Sequence, residues 1–239
     1  MSSESHSSPD MREYGAPVDG KPQTSDRRLY MQLQAYTGVT DMGTIRNALS
    51  ASGLAAALYA DAADPMGAGI VFLSENPDDF VADIRSLLAT TPFDGLKRRP
   101  EMTMFGRSYA TGYEPDLEDA LVGRPRRTVL NPDWLWAIWY PLRRNGAFAR
   151  LDGKTQREIL MEHAAIGRAY GRADVAHDIR LACYGMDEHD NDFVIGLVGK
   201  ALHPLSKVVQ DMRKTQQTSL YIDSLGPFFI GKKTWASER

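Results

Sequence analysis

The first half of the chain alternates short apolar runs with one-sided helical patterns. RLYMQLQAY at 28–36 and GAGIVFLSE at 67–75 are rich in large apolar and aromatic residues, which favours strands, and LAAALYADA at 54–62 predicts another. The segments 40–53 and 75–92 place apolar residues at helical spacing, so each predicts a helix. The predicted order of this half is therefore β-α-β-β-α.

The second half repeats that order and adds a final strand. Its predicted elements are a strand at 134–142, a helix at 153–171, strands at 178–186 and 191–199, a helix at 203–219 and a short strand at 226–231. A β-α-β-β-α unit is typical of the ferredoxin-like arrangement, in which helices cover one face of an antiparallel sheet. Because the other face must also be buried, the two sheets must either pack face to face or curl into a barrel. We predict an α+β fold in which two ferredoxin-like halves form a dimeric α+β barrel.

Two segments fall outside these elements. Residues 1–26 are rich in Ser, Pro, Gly and charge and contain few large apolar groups, so we expect a disordered tail there. The N-terminal half then covers 27–132, and the C-terminal half covers 133–239. The first of these halves ends in an irregular stretch from about 93 to 132, and loops of that length are usually functional or disordered.

Composition narrows the class of protein. The chain has 28 Lys and Arg against 31 Asp and Glu, a formal charge of −3, which gives no reason to expect nucleic acid as a partner. Cys183 is the one cysteine, which excludes an internal disulfide and a cysteine zinc site. Neither a signal-peptide core nor a run of membrane-spanning length occurs, so we expect a cytoplasmic protein with no membrane partner.

His163 is the most informative single residue. On the predicted 153–171 helix it shares one otherwise apolar face with Ile159, Ile166 and Tyr170. A histidine in such a place must satisfy both ring nitrogens. It either bonds to a backbone carbonyl as a core residue or ligates a metal through one nitrogen while the other donates a hydrogen bond. Periodicity alone favours the core residue.

The stretch from Trp139 to Gly231 resembles the C-terminal half of the chlorite dismutase and coproheme decarboxylase family. The matching motifs are WYPLRR, the His163 helix followed by GRAYG, the strand-turn-strand DIRLACYGMDEHDNDFVIGLVG, the helix HPLSKVVQDMRKTQQTS and the closing GPFFIG. The first half agrees only in element order. No single motif is specific, but the ordered set is. The resemblance implies a haem cofactor, haem b or coproheme, with His163 as the ligand to iron.

The resemblance also implies a catalytic tyrosine. Tyr140 stands directly before a proline, as does the redox-active tyrosine of the coproheme decarboxylases, and its separation from the ligand is 163 − 140 = 23 residues. The alternative is a strand tyrosine that only packs among Trp134, Trp136 and Trp139.

The side of the site opposite the ligand departs from the family. The arginine of the chlorite dismutases, or the glutamine of some decarboxylases, aligns with Asp178 here. Arg180 lies two residues further on the same strand face and is the candidate cation, with His177 as a further candidate. On the ligand side, the family's glutamate has no counterpart in 213–219, so Gln216 or Gln217 is the expected acceptor for the second nitrogen of His163.

Propionate groups need cations and hydroxyls, because guanidinium pairs bidentately with carboxylate. The candidates that the resemblance implies are Arg124, Arg126, Arg143 and Ser219. A solvated basic loop and a helix-terminal serine explain the same residues equally well.

The expected function is peroxide-dependent oxidative decarboxylation of coproheme to haem b. One alternative is a haem b chlorite dismutase or peroxidase-like enzyme, which requires a distal cation such as Arg180. Another is a non-catalytic haem-binding carrier or sensor, which the departures around Asp178 keep open. The resemblance implies a homo-oligomer, and the length of the chain favours a pentamer, with the porphyrin and a small oxidant (hydrogen peroxide or chlorite) as partners.

Overall fold

The computed structural model describes residues 8–238. Its first elements are β1 (Glu13–Val18) and β2 (Lys21–Ser25), which pair as an antiparallel hairpin. The expected disordered tail over 1–26 is therefore wrong for residues 13–25, while residues 1–7 lie outside the described part. Asp19 and Gly20 both have positive φ, 50° and 74°, as a two-residue hairpin turn requires. The Asp-Gly pair was the sequence signal for this hairpin.

The first half follows the predicted order. It contains β3 (Tyr30–Thr37), α1 (Met42–Ser52), β4 (Ala56–Asp61), β5 (Ala68–Ser74), a 3-10 turn (Pro77–Phe80) and α2 (Asp83–Leu88). Asp41 caps α1 by accepting a hydrogen bond from the Gly43 amide, and Gly53 ends the helix with a φ of 70°. These capping residues explain why the bounds of α1 were predictable from the sequence.

The stretch from 93 to 132 is more regular than expected. It contains 3-10 turns at Phe93–Gly95 and Pro100–Met102, β6 (Lys97–Arg98), β7 (Met104–Arg107), a π-helical turn (Asp119–Gly123) and α3 (Arg124–Leu130). Arg124 and Arg126, which were expected in a loop, thus lie on α3. The buried Lys233 donates from Nζ to the carbonyls of Val129 and Asn131, at 2.5 and 2.8 Å, and so satisfies acceptors that the end of α3 leaves free.

The second half also follows the prediction, with one helix divided in two. Its elements are β8 (Trp136–Arg144), α4 (Gly146–Ala149), α5 (Gly153–Arg172), β9 (His177–Ala182), β10 (Phe193–Gly199), α6 (Leu202–Met212), α7 (Gln216–Tyr221), β11 (Ile222–Leu225) and β12 (Phe229–Ala236). The predicted 203–219 helix divides because Thr215 caps a new one, with its side chain accepting from the Thr218 amide.

The main sheet is antiparallel, and its pairings close on themselves. The strand order is β10-β9-β7-β3-β5-β4-β12-β8, and β10 pairs again with β8. This arrangement confirms a mixed α+β fold with an antiparallel sheet. Among the described residues, no helix is long and apolar enough to cross a membrane.

The two faces of the sheet have different neighbours. The inward face forms one core cluster, which includes Met31, Leu33, Trp139 and Phe229. The outward face packs on α1 and α2 in the first half and on α5 and α6 in the second. Trp139 fits inside because its strand neighbour is Gly196, where a Cβ would stand 2.7 Å from the indole ring.

We predict that Gly196→Ala destabilises the fold by about 1–3 kcal/mol, because the added methyl group would displace the buried Trp139 ring. Chemical denaturation measures the free energy of unfolding. Gly146→Ala is the matched control, since a Cβ there meets nothing within 4 Å, and it should change stability by less than about 0.5 kcal/mol. Equal stability of the two variants would contradict the packing argument.

Candidate functional site

Three side chains stand in one row across the second-half sheet. Ile195 on β10 lies opposite Tyr140 on β8 and opposite Arg180 on β9. Because side chains alternate along a strand, Asp178 shares the face of Arg180, and Arg144 shares the face of Tyr140. This row looks outward, toward the helices of the second half.

The helices leave part of this sheet face open. Ile195 is only half-buried, although β10 lies between two strands. The side chain of Arg180 is 45% exposed and that of Asp178 is 50% exposed, and the two form an ion pair at 3.1 Å. Solvent therefore reaches Arg180 and Asp178 on this part of the face.

His163 lies on α5, near this face. Its Nδ1 is 3.3 Å from Oγ1 of Thr215, whose own hydroxyl proton goes to the Met212 carbonyl at 2.8 Å. Since that proton is already used, Thr215 acts as the acceptor and Nδ1 of His163 as the donor. The lone pair is then on Nε2, the nitrogen free to ligate a metal. Thr215 takes the place that the sequence analysis gave to Gln216 or Gln217.

The surroundings of His163 favour the neutral ring. Burial, followed by the positive charge of Arg180, lowers the pKa of His163 from 6.5 to about 4. The imidazole is thus neutral at physiological pH and available as a ligand. Protonation of the ring, which an ordinary histidine shows near pH 6.5, moves to a more acidic range.

Tyr140 is buried, with 7% of its surface exposed. Its ring packs on Phe228 with centroids 4.7 Å apart, while Trp139 points into the inward core and Trp134 stacks on His177. The ring contact of Tyr140 is thus with Phe228 and not with Trp134 or Trp139. Burial, with a further contribution from Asp178, raises the pKa of Tyr140, so the phenol is protonated at neutral pH.

A small polar cavity of about 20 Å³ adjoins Arg180 and Asp178. Tyr109, Glu114 and Arg124 also line it. Burial opposes the charge on Arg180, but Asp178, Tyr109 and Glu114 together outweigh it and raise the pKa of the guanidinium. A volume of this size suits about one water molecule and is far too small for a porphyrin.

The four candidate propionate residues do not come together. Arg124 lines the cavity beside Arg180. Arg126 lies near Glu75 of the first half, where it helps Arg27 to lower the pKa of that carboxyl group.

The other two candidates are already engaged. Arg143 is exposed and pairs with Asp190 at 2.8 Å. The hydroxyl of Ser219 donates to the carbonyl of Thr215 within its own helix, at 2.8 Å. Because both side chains already have partners within the protein, neither forms a separate binding site for a carboxylate.

Arg144 is a further arginine on this face, which the sequence analysis passed over in favour of its neighbour Arg143. Its guanidinium lies over the rings of Phe148 and Phe193, at 4.5 and 4.9 Å from their centroids. Its Nε is buried and has no hydrogen-bond partner among the described residues. The period of two from Tyr140 was the available signal, because it places residue 144, and not 143, on the outward face.

These features define a class of α+β protein in which one neutral imidazole and several arginines border a partly open sheet face. A model of the chlorite dismutase family matches residues 39–234, and the chain therefore belongs to that family. No curated protein sequence matches the chain.

Solved structures share the fold at low sequence identity. A haem-binding protein from Thermus thermophilus superposes with a TM-score of 0.68 at 16% identity, covering 87% of this chain and 91% of that one. The chlorite dismutase of Candidatus Nitrospira defluvii in complex with imidazole gives a TM-score of 0.63 at 12% identity, covering 88% and 93%.

We predict that His163 titrates near pH 4 in the protein without porphyrin, well below the ordinary range of histidine. Between pH 6.5 and 4 the unfolded chain takes up a proton that the folded chain does not. Stability that is present above pH 6.5 is therefore lost as the pH falls, by roughly 3–4 kcal/mol at most. Imidazole NMR shifts measure the midpoint, with the resonance assigned by its absence from His163→Ala. A midpoint near 6.5 would contradict the account.

Proposed function

We propose that this chain binds a haem-type porphyrin between α5 and the open sheet face, with Nε2 of His163 as the ligand to iron. The observation that carries the proposal is the hydrogen bond from Nδ1 to Thr215, since it fixes the tautomer that leaves Nε2 free. The haem-binding relative from Thermus supports the same cofactor. The one cysteine, Cys183, is buried in the inward core and so is not available as a ligand on this face.

Arg144 and Arg124 are the cations that suit a carboxylated porphyrin. The unpartnered Nε of Arg144 leaves a donor for an incoming carboxylate, and bidentate pairing would satisfy it. Arg124 belongs to the same side of the fold through the cavity at Arg180. These two residues fit propionates better than Arg126, Arg143 and Ser219 do.

The reaction that we propose is oxidative decarboxylation of coproheme to haem b by peroxide. Each reacting propionate carboxylate loses carbon dioxide, one proton and two electrons to become a vinyl group, and hydrogen peroxide takes up the two electrons, that proton and a second one from solvent to form two waters. When bound, the porphyrin supplies the redox chemistry. Tyr140 is the proposed redox-active residue, since its buried, protonated phenol lies on the face that the porphyrin would occupy.

A second function, turnover of chlorite or peroxide on haem b, is favoured by Arg180. That cation stands in the same row as Tyr140, and its charge acts on His163. Its ion pair with Asp178 argues against a strongly acting distal cation, because the pair partly neutralises it. We therefore place decarboxylation first.

We also propose an architecture, an oligomeric state and a location for the protein. Two ferredoxin-like halves in a dimeric α+β barrel account for the doubled element order, and the closed strand path supports a barrel. We further propose a homo-oligomer, with a pentamer favoured, and a cytoplasmic location. Mass measurement in solution tests the assembly.

Adding coproheme and hydrogen peroxide to the purified protein tests the function. We expect carbon dioxide release and conversion to haem b, with Tyr140→Phe binding coproheme normally but turning over at least about 100-fold more slowly. His163→Ala should keep its fold and lose the spectrum of a histidine-ligated ferrous porphyrin. Oxygen from chlorite would instead support the second function, and inert binding would indicate a carrier or sensor. An unchanged spectrum in His163→Ala would overturn the ligand assignment.

Removing the charge of Arg144 should weaken the binding of coproheme, and removing the charge of Arg143 should leave it unchanged. Arg144→Gln should weaken coproheme binding by about tenfold, because a carboxylate loses its charge-assisted partner. Arg143→Gln is the matched control on the adjacent position, where the side chain pairs with Asp190. Fluorescence quenching on titration with coproheme measures both dissociation constants. Equal affinities would contradict the placement of a propionate at Arg144.

A further inference from the structure

The N-terminal hairpin lies outside residues 39–234, the part that matches the family model, yet it contacts the wall of the Arg180 cavity. That wall is the segment 108–114, which contains no helix or strand. A backbone without ladder hydrogen bonds needs other partners to hold one conformation. The hairpin supplies several of them.

Glu13 is the main contact. Its Oε1 accepts from Nη1 of Arg107 at 3.0 Å, and its Oε2 accepts from the Ala110 amide at 2.9 Å. The carboxylate is 16% exposed, so water screens these bonds less than it would on an open surface. One side chain thus fixes both the end of β7 and the start of the cavity wall.

Arg107 also lies at one of the two places where strands of the first and second halves pair. It is the residue of β7 that pairs with β9, opposite Ala182. Gly106 lies so close to β9 that a Cβ there would come within 2.8 Å of Leu181. Glu13 therefore acts at a junction that tolerates little displacement.

A second contact holds the other end of the wall. The Ala16 amide donates to the Glu114 carbonyl at 2.9 Å, and Nε2 of Gln23 donates to the same carbonyl at 3.0 Å. Gly15 lies directly on this segment, since a Cβ would be 3.0 Å from the Glu114 carbonyl oxygen. The hairpin thus spans the wall from residue 107 to residue 114.

The wall presents Tyr109 and Glu114 to Arg180. Tyr109 packs on Phe193 with ring centroids 5.6 Å apart, and both Tyr109 and Glu114 line the cavity with Arg180. The side chain of Glu114 is fully engaged, accepting from the Thr111, Gly112 and Tyr113 amides at 2.9–3.0 Å. The position of these neighbours, rather than their titration, sets the surroundings of Arg180.

We infer that Glu13 is a positioning residue, which sets the place of Tyr109 and Glu114 and through them that of Arg180 in the ligand pocket. The inference rests on the proposed function for its consequence at the porphyrin, but its structural part concerns the protein alone. It assigns a role to the hairpin that the family resemblance does not contain.

Hydrogen exchange in the protein without porphyrin tests the structural part. Glu13→Ala should speed exchange at the Ala110 amide by about tenfold or more, since its acceptor is gone. Asp10→Ala is the matched control, because within the described part of the chain Asp10 binds only the neighbouring Arg12 and Tyr14. Equal exchange at Ala110 in Glu13→Ala and in the wild type overturns the inference, whether or not the protein binds porphyrin.

Anion binding to the ferric porphyrin complex tests the consequence. Distal donors govern the affinity for fluoride, so Glu13→Ala should bind fluoride about tenfold more weakly while its porphyrin affinity stays within about twofold. Glu13→Gln retains an acceptor for Ala110 and should recover part of the loss. Unchanged fluoride affinity together with faster exchange would show a purely structural hairpin and would also overturn the inference. Failure of the wild type to bind porphyrin would instead contradict the proposed function.

Discussion

The pairing of β10 with β8 is the constraint on which the rest of the structure depends. It joins the last strand of the path to the first, so the sheet has one enclosed face and one outward face. The enclosed face excludes water with Trp139 and Phe229, and the glycines beside them make their burial possible. The outward face is then available for functional side chains. Through Ile195, the same pairing brings Tyr140 level with Arg180, two residues forty positions apart in the chain.

The group that accepts the hydrogen bond from Nδ1 of His163 sets how strongly the imidazole could donate electrons to a metal. A carboxylate on Nδ1 makes an imidazole a strong electron donor, whereas a hydroxyl makes it a weaker one. Thr215 is a hydroxyl acceptor, and its proton is directed to a carbonyl by the turn between α6 and α7. The break in the predicted 203–219 helix is therefore what places Thr215 opposite His163. If His163 ligates iron as we propose, a hydroxyl acceptor suits decarboxylation better than a peroxidase-like reaction, as does the ion pair that partly neutralises Arg180.

Most elements could be predicted because their signals are local. Asp41 and Gly53 delimit α1, and the apolar face of α5 identifies His163. Residues 13–25 of the predicted tail were mispredicted because their composition suggests disorder, while their hairpin is also held by hydrogen bonds to residues 107–118, which no local pattern shows. The hydrogen-bond acceptor of His163 was also mispredicted as Gln216 or Gln217. The predicted 203–219 helix is interrupted at Thr215, and this break places the threonine beside His163.

The sequence alone does not show which arginines already pair with a carboxylate of the protein. Arg126 and Arg143 have the right charge and lie near Tyr140 in the chain, yet each already has a carboxylate nearby, Glu75 and Asp190.

Arg144 is held instead by two aromatic rings, which leave its Nε without an acceptor among the described residues. A buried donor without a partner costs about 1–3 kcal/mol. A carboxylate ligand would recover that energy on binding, and the unsatisfied group therefore supports our proposal that a propionate binds at Arg144.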